Sequence, residues 1–136
     1  MVDPAISRYQ SVKITTSSPG ELLVALYDGL FRFLRAGSFA LKNKRRAEAS
    51  HAISRAHAIL TELYVSLDAR HAPELCANLS ALYSFCLERI VAANLKNDAA
   101  QLDDVIRVLT PVREAFREAV EQVARSGGQI QAGDQP

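Results

Sequence analysis

Apolar residues recur three or four apart along most of this chain, and the places where that rhythm fails divide it into four helices. The most continuous stretch is 73–98, PELCANLSALYSFCLERIVAANLKND, which has no glycine and no proline after its first residue. Leu75, Leu79, Leu82, Cys86, Ile90 and Ala93 make one stripe, and Tyr83, Leu87, Val91 and Leu95 make a second beside it. A helix packed on one side needs one stripe; two adjacent stripes make a face wide enough for more than one neighbour. Either both stripes are core, each against a different helix, or one of them lines a groove for an amphipathic partner helix.

The other helices announce their ends. Ser18-Pro19-Gly20-Glu21 opens the first, with a hydroxyl to cap it, a proline where a missing N–H costs nothing, and a glutamate three residues on to complete a capping box. Leu22, Leu23, Leu26, Tyr27, Leu30, Phe33, Leu34 and Leu41 form its apolar face, interrupted by Gly29 and Gly37. Each glycine costs up to about 1 kcal/mol relative to alanine inside a helix. Close approach of a neighbouring backbone explains that cost better than a break, because the period continues past both. The basic run 42–46 reads as a solvated loop or helix end. A second helix over 47–67 turns Ala49, Ala52, Ile53, Ala56, Leu60, Leu63 and Leu67 inward, and its alanine-lined first half lets a neighbour approach or leaves a shallow groove.

After a turn over 68–73 and the 73–98 helix, Asn97 and Asp98 end one helix and cap the next, with Gln101 placed for a second capping box. Leu102, Val105, Leu109, Val112, Phe116 and Val123 mark the inward side of the last helix. Pro111 should kink it, and Ser126-Gly127-Gly128 should stop it, leaving 127–136 as a disordered tail. Residues 1–17 have no helical period; Ile6, Tyr9, Val12 and Ile14 are apolar points in a polar arm, which is either solvated along its length or docked through Ile6 and Tyr9. The expected fold is all-α: an antiparallel four-helix bundle over 18–126 with an N-terminal arm.

Composition narrows the function. The chain has 136 residues, 49% of them hydrophobic and 23% charged, with a net charge of +1, so neither nucleic acid nor an anionic membrane surface is indicated as partner. No apolar run reads as a bilayer span and the start MVDPAISRYQ lacks the apolar core of a signal peptide, so membrane insertion is not expected and the protein is expected in the cytoplasm. Cys76 and Cys86 lie ten apart on one helix, roughly 15 Å at 1.5 Å per residue, beyond disulfide reach; both read as buried reduced thiols. A di-metal bundle enzyme needs two Glu-x-x-His motifs, and only Glu48-Ala-Ser-His51 is present, off the apolar stripe; no metal or cofactor is expected. With no phosphate loop, no nucleophile motif and His57 and His71 isolated, the chain does not read as an enzyme. A structural or regulatory bundle that dimerises and a binding module for an amphipathic segment both remain open.

Five short motifs change that balance. Ser18 to Leu23 (SPGELL), Leu26 to Gly29 (LYDG), Ser66 to Asp68 (SLD), Asn78 to Tyr83 (NLSALY) and Ala93 to Asp98 (ANLKND) occur in this order. Together they resemble the FliS family of flagellar secretion chaperones over about residues 6 to 123. The resemblance implies a four-helix bundle that binds the disordered C-terminal segment of flagellin in hydrophobic grooves. It keeps that client from polymerising prematurely in the cytosol and passes it to the flagellar export apparatus, with the export gate as a further partner. It implies a monomer or weak homodimer. It also implies an arm that covers part of the groove through Ile6 and Tyr9 when the client is absent. The expected partner-binding residues are Ile6, Tyr9, Leu79, Tyr83, Leu87 and Val91, with Asn78 and Asn94 bonding either client backbone or a neighbouring helix end. Two departures from the family pattern stand out: Phe116 where tryptophan is common, and Pro111 within the last helix.

Overall fold

The computed structural model describes residues 18–134, with side chains as far as Gly127; Ile6, Tyr9 and the rest of the arm lie outside the described residues. Four helices follow one another: α1 (Pro19–Lys42), α2 (Arg46–Val65), α3 (Pro73–Lys96) and α4 (Ala99–Asp134). No strand occurs among the described residues, and the chain is an all-α four-helix bundle.

The helix ends have local causes. The Ser18 hydroxyl accepts the Glu21 N–H at 3.1 Å, capping α1 as its sequence implies. Between α1 and α2, Lys44 adopts a left-handed φ of 58°, and the Arg45 N–H then reaches back to the Ala40 carbonyl at 2.8 Å. The turn into α3 is tied by the Asp68–Arg70 pair at 2.8 Å and by the Cys76 thiol, which donates to the Asp68 carbonyl at 3.1 Å. Asn97, at φ 51°, ends α3 in the left-handed conformation that suits asparagine. Asp98 then caps α4 by accepting the Ala100 N–H at 3.1 Å. Gln101 reaches back to the Asp98 carboxylate at 3.3 Å, so the reciprocal half of the cap is made to the side chain.

The described residues fall into two compact units, taken separately here. In the unit Asp28–Leu109 the cross-contacts set α2 antiparallel to both α1 and α3. Ile59 lies beside Gly29, and Ala52 and Ile53 beside Gly37, so α1 and α2 run in opposite directions. Arg46 at the start of α2 bonds Asn94 near the end of α3, and Tyr64 near the end of α2 bonds Ser80 and Ser84. Arg89 donates to Gln101 at 2.7 Å, joining α3 to α4, and Ser38 donates to Asp103 at 2.6 Å, which joins α4 back to α1. Inside this ring Leu30, Phe31, Leu34, Ile53, Leu60, Leu63, Tyr83, Ile90, Leu102, Val105 and Leu109 are buried. The other unit pairs the first residues of α1 with α4 from Thr110 onward. There Tyr27 is fully buried, and its ring centroid stands 5.6 Å from that of Phe116. Phe116 therefore supplies the apolar aromatic contact that its position calls for.

Several sequence expectations need correcting. Phe31, not Phe33, is the fully buried phenylalanine of α1; Phe33 is half-buried under the guanidinium groups of Arg32 and Arg55 at 5.6 and 5.7 Å. Gly37 is crowded by side chains instead of a backbone: a β-carbon there would meet Leu102 Cδ1 at 3.1 Å and Ile53 Cγ1 at 3.2 Å. Val123 is 70% exposed. The α4 backbone stays helical through Gly127 and Gly128 to Asp134, past the stop read at 126, because glycine weakens a helix without removing a hydrogen-bond donor. It also runs as one element through Pro111, which sits beside the junction of the two units at Leu109 and Thr110. Cys86 is buried, and burial pushes its thiol up to about 11, but Cys76 is only half-buried. Finally, α3 is long and apolar enough to cross a membrane by length and composition. Five of its residues, Leu79, Tyr83, Cys86, Ile90 and Ala93, are buried in the protein core.

The Ser38–Asp103 contact makes a testable electrostatic link. Ser38 is buried, and its hydroxyl holds the Asp103 carboxyl below the usual carboxylate range against the opposing effect of burial, with the Lys42 ammonium at 3.0 Å adding to the lowering. A depressed folded-state pKa contributes stability that is present above the unfolded carboxyl value of about 4 and is lost as pH falls through the folded value. Denaturant midpoints measured from pH 6 down to pH 2 should therefore fall more steeply for the wild type than for Asp103→Asn, which keeps an acceptor for Ser38. Parallel profiles would remove Asp103 as a source of acid sensitivity.

Candidate functional site

The two stripes of α3 separate once they are set on a helix. Residues four apart turn by about 40° per step, since 3.6 residues make one turn. The row Tyr83, Leu87, Val91, Leu95 takes only steps of four and so winds out of the core. Tyr83 is 1% exposed, Leu87 is half-buried, Val91 is 44% exposed and Leu95 is 77% exposed. The other stripe mixes steps of three and four and keeps its heading, so Leu79, Cys86, Ile90 and Ala93 are buried and Leu82 is half-buried, while Leu75, in the first turn, is exposed. Tyr83 and Leu79, expected to line a partner surface, are core side chains in this structure. Val91 remains at the surface, joined by Leu95, which the sequence reading placed in the stripe but left out of the site.

Where the row emerges, α3 and α2 leave a cleft. Ile53, Ser54 and His57 of α2 and Ile90, Val91, Asn94 and Leu95 of α3 line a cavity of about 230 Å³. Its floor is the buried pair Ile53 and Ile90, its α3 wall is apolar apart from Asn94, and its α2 wall carries the polar groups of Ser54 and His57. The buried alanines of α2, Ala49, Ala52 and Ala56, do not line this cleft, and Ala52 lies beside Gly37 of α1.

The seam is pinned along its length by polar contacts. Arg46 forks onto Asn94, donating from Nη1 to Oδ1 at 2.8 Å and from Nη2 to the main-chain carbonyl at 3.0 Å. Ser50 adds a longer contact to Oδ1 at 3.4 Å. Farther along, hydrogen bonds from Ser80 first and then Ser84 hold the Tyr64 phenol below its ordinary pKa. Asn94 thus serves the neighbouring helix end, one of the two roles open to it, while Asn78 is exposed in the early turns of α3. The Tyr64 clamp was missed; two serines four apart on α3, facing the end of α2, were its available signal.

Other apolar surface exists on α3. Leu75 is exposed in its first turn and Phe85 on another side, where the Arg89 guanidinium covers the Phe85 ring at 4.9 Å. Within the unit that contains the α1 start, Pro19, Gly20, Phe116, Val120 and Val123 line a cavity of about 330 Å³. The α2–α3 cleft differs from both in combining a continuous apolar row with a fixed polar group, and the arrangement suits binding an amphipathic segment. Glu48 and His51, the lone metal-like pair, are both exposed on α2.

Comparison with known proteins agrees with this architecture. The family described as "Flagellar protein FliS" matches residues 2–123. The flagellar secretion chaperone FliS of Bacillus subtilis (strain 168) is 33% identical over 113 residues, covering 83% of this chain and 84% of that protein. The protein of the same name from Escherichia coli (strain K12) is 30% identical over 108 residues, 79% of each. A solved structure described as "Crystal structure of flagellar chaperone from bacteria" superposes with a TM-score of 0.72 at 20% identity, covering 88% of this chain and 99% of that one, which shows the shared fold. With a family match across nearly its whole length, the chain belongs to the FliS family of flagellar secretion chaperones.

Proposed function

We propose that this chain is an export chaperone that binds the disordered C-terminal segment of flagellin in the cytoplasm, with the α2–α3 cleft as a docking surface. The observation that carries the proposal is the row of Leu87, Val91 and Leu95 winding out of the core beside an open apolar seam. A disordered amphipathic segment that folds on binding loses roughly 2–5 kcal/mol to ordering, offset by burying about 1,000–3,000 Å². Hiding that segment keeps the client from polymerising prematurely, and reversible apolar contact lets it pass to the export gate. The free chain, a monomer or weak homodimer, uses Ile6 and Tyr9 of its arm to cover apolar surface, since large exposed patches promote association.

Titration of the full chain with a flagellin C-terminal peptide tests this by calorimetry. Val91→Asp combined with Leu95→Asp should weaken binding by about a hundredfold or more, because each change removes buried apolar area and leaves a charge against the bound segment. Both positions are exposed, so helical circular dichroism should stay unchanged. Wild-type affinity in that double variant would move the docking surface away from this cleft.

A further inference from the structure

Asn94 does more than join two helices, and the reason lies in which end of its carboxamide is occupied. Arginine can only donate, so the atom that meets Arg46 Nη1 at 2.8 Å must be the amide oxygen. Ser50 approaches the same oxygen, and Arg46 Nη2 holds the Asn94 main-chain carbonyl. Two contacts from α2 to the amide oxygen therefore fix the sense of the amide, and the third holds the main chain that carries it. Its Nδ2 group is left with no protein hydrogen bond among the described residues, and no buried side-chain polar atom there lacks a partner, so this group is open to solvent. The residue that carries it lines the apolar cleft between Ile90, Val91 and Leu95.

We infer that Asn94 is a register-setting donor: its amide N–H group, oriented by Arg46, takes one oxygen acceptor from the docked segment and so selects where along the cleft that segment sits. This rests on the docking proposed for the α2–α3 cleft and adds a specificity residue to it. An apolar seam alone binds any amphipathic helix and lets it slide by a turn, because apolar contact is non-directional. A fixed donor discriminates sharply, since a segment that buries it without an acceptor leaves it unpaired. Arg46 acts through Asn94 and is a positioning residue. Its fork, with one nitrogen on the amide oxygen and the other on the main-chain carbonyl, is an arrangement that lysine cannot reproduce.

The test is a ratio of affinities, measured with the full chain. Each polar residue of a synthetic flagellin C-terminal peptide is changed to alanine in turn. One such change should weaken binding to the wild type by about tenfold, a typical effect for one buried hydrogen bond. In Asn94→Leu that same change should have almost no effect, and in Arg46→Lys the ratio should fall at least halfway on a logarithmic scale. A role confined to joining α2 to α3 would lower affinity for every peptide equally and leave the ratio intact, and that result overturns the inference, as does a wild-type scan with no sensitive position. Loss of binding in the Val91→Asp and Leu95→Asp variant, alongside an unchanged ratio in Asn94→Leu, would retain the docking surface and remove only the role of Asn94. A wild-type chain that binds no peptide would remove both.

Discussion

Replacing Tyr83 with alanine should lower the stability of the fold by about 3–5 kcal/mol, the range for truncating a buried aromatic. Tyr83 is 1% exposed, the inward end of the row that runs on to Leu87, Val91 and Leu95, and it is buried with Leu79, Cys86 and Ile90 of the neighbouring stripe. Its removal leaves a cavity too enclosed to collapse completely, at the centre of a unit bounded by all four helices. Leu95→Ala, twelve residues along the same row, should change stability by no more than about 0.5 kcal/mol, because that side chain already lies in water. Urea unfolding followed by circular dichroism separates the two. A Tyr83→Ala protein with the wild-type midpoint would place Tyr83 at the surface, where the first reading of the stripe put it. The pair also separates core from site in binding assays: Leu95→Ala should weaken the peptide at unchanged stability, whereas any loss in Tyr83→Ala should follow unfolding.

How far the sequence reached is clear from that same row. The four helices, the Ser18 cap, the Asp98 cap and the turn at Asn97 were legible because each depends on residues within a few positions of one another. The width of the α3 face was legible too, as two stripes where one would do. Which stripe faced inward was not, since the choice depends on a slow angular drift relative to a core whose direction three other helices define. Steps of four carry Tyr83 inward and Leu95 outward within a single row. Asn94 shows the same limit: its type announced a hydrogen-bonding role, but only the placement of Arg46, 48 residues away in the chain, gives its amide a sense. The helical backbone through Gly127 and Gly128 shows the reverse error, in which a local stop signal was weighed as though glycine acted like proline.

The two central glycines of α1 should respond to substitution with opposite signs, although sequence alone treats them alike. At Gly29 an added β-carbon would meet Ile59 Cδ1 at 3.6 Å, an ordinary contact, and Gly29→Ala should stabilise the protein by about 0.5–1 kcal/mol through helix propensity. At Gly37 the same β-carbon would stand 3.1 Å from Leu102 Cδ1 and 3.2 Å from Ile53 Cγ1, with Ala52 Cβ at 3.7 Å. One helix approaches from each side, and a leucine at this position would place three further carbons where no volume is free. Gly37→Leu should cost about 3 kcal/mol, the upper part of the range for overpacking, and the strain should fall on Ile53, which forms the floor of the cleft. Peptide affinity should therefore drop in Gly37→Leu even under conditions where the variant is fully folded, while Gly29→Ala binds as the wild type does. Equal stability for Gly37→Leu and wild type would mean that α1, α2 and α4 can separate at this level without loss. The cleft would then lack the rigid floor on which its selectivity depends.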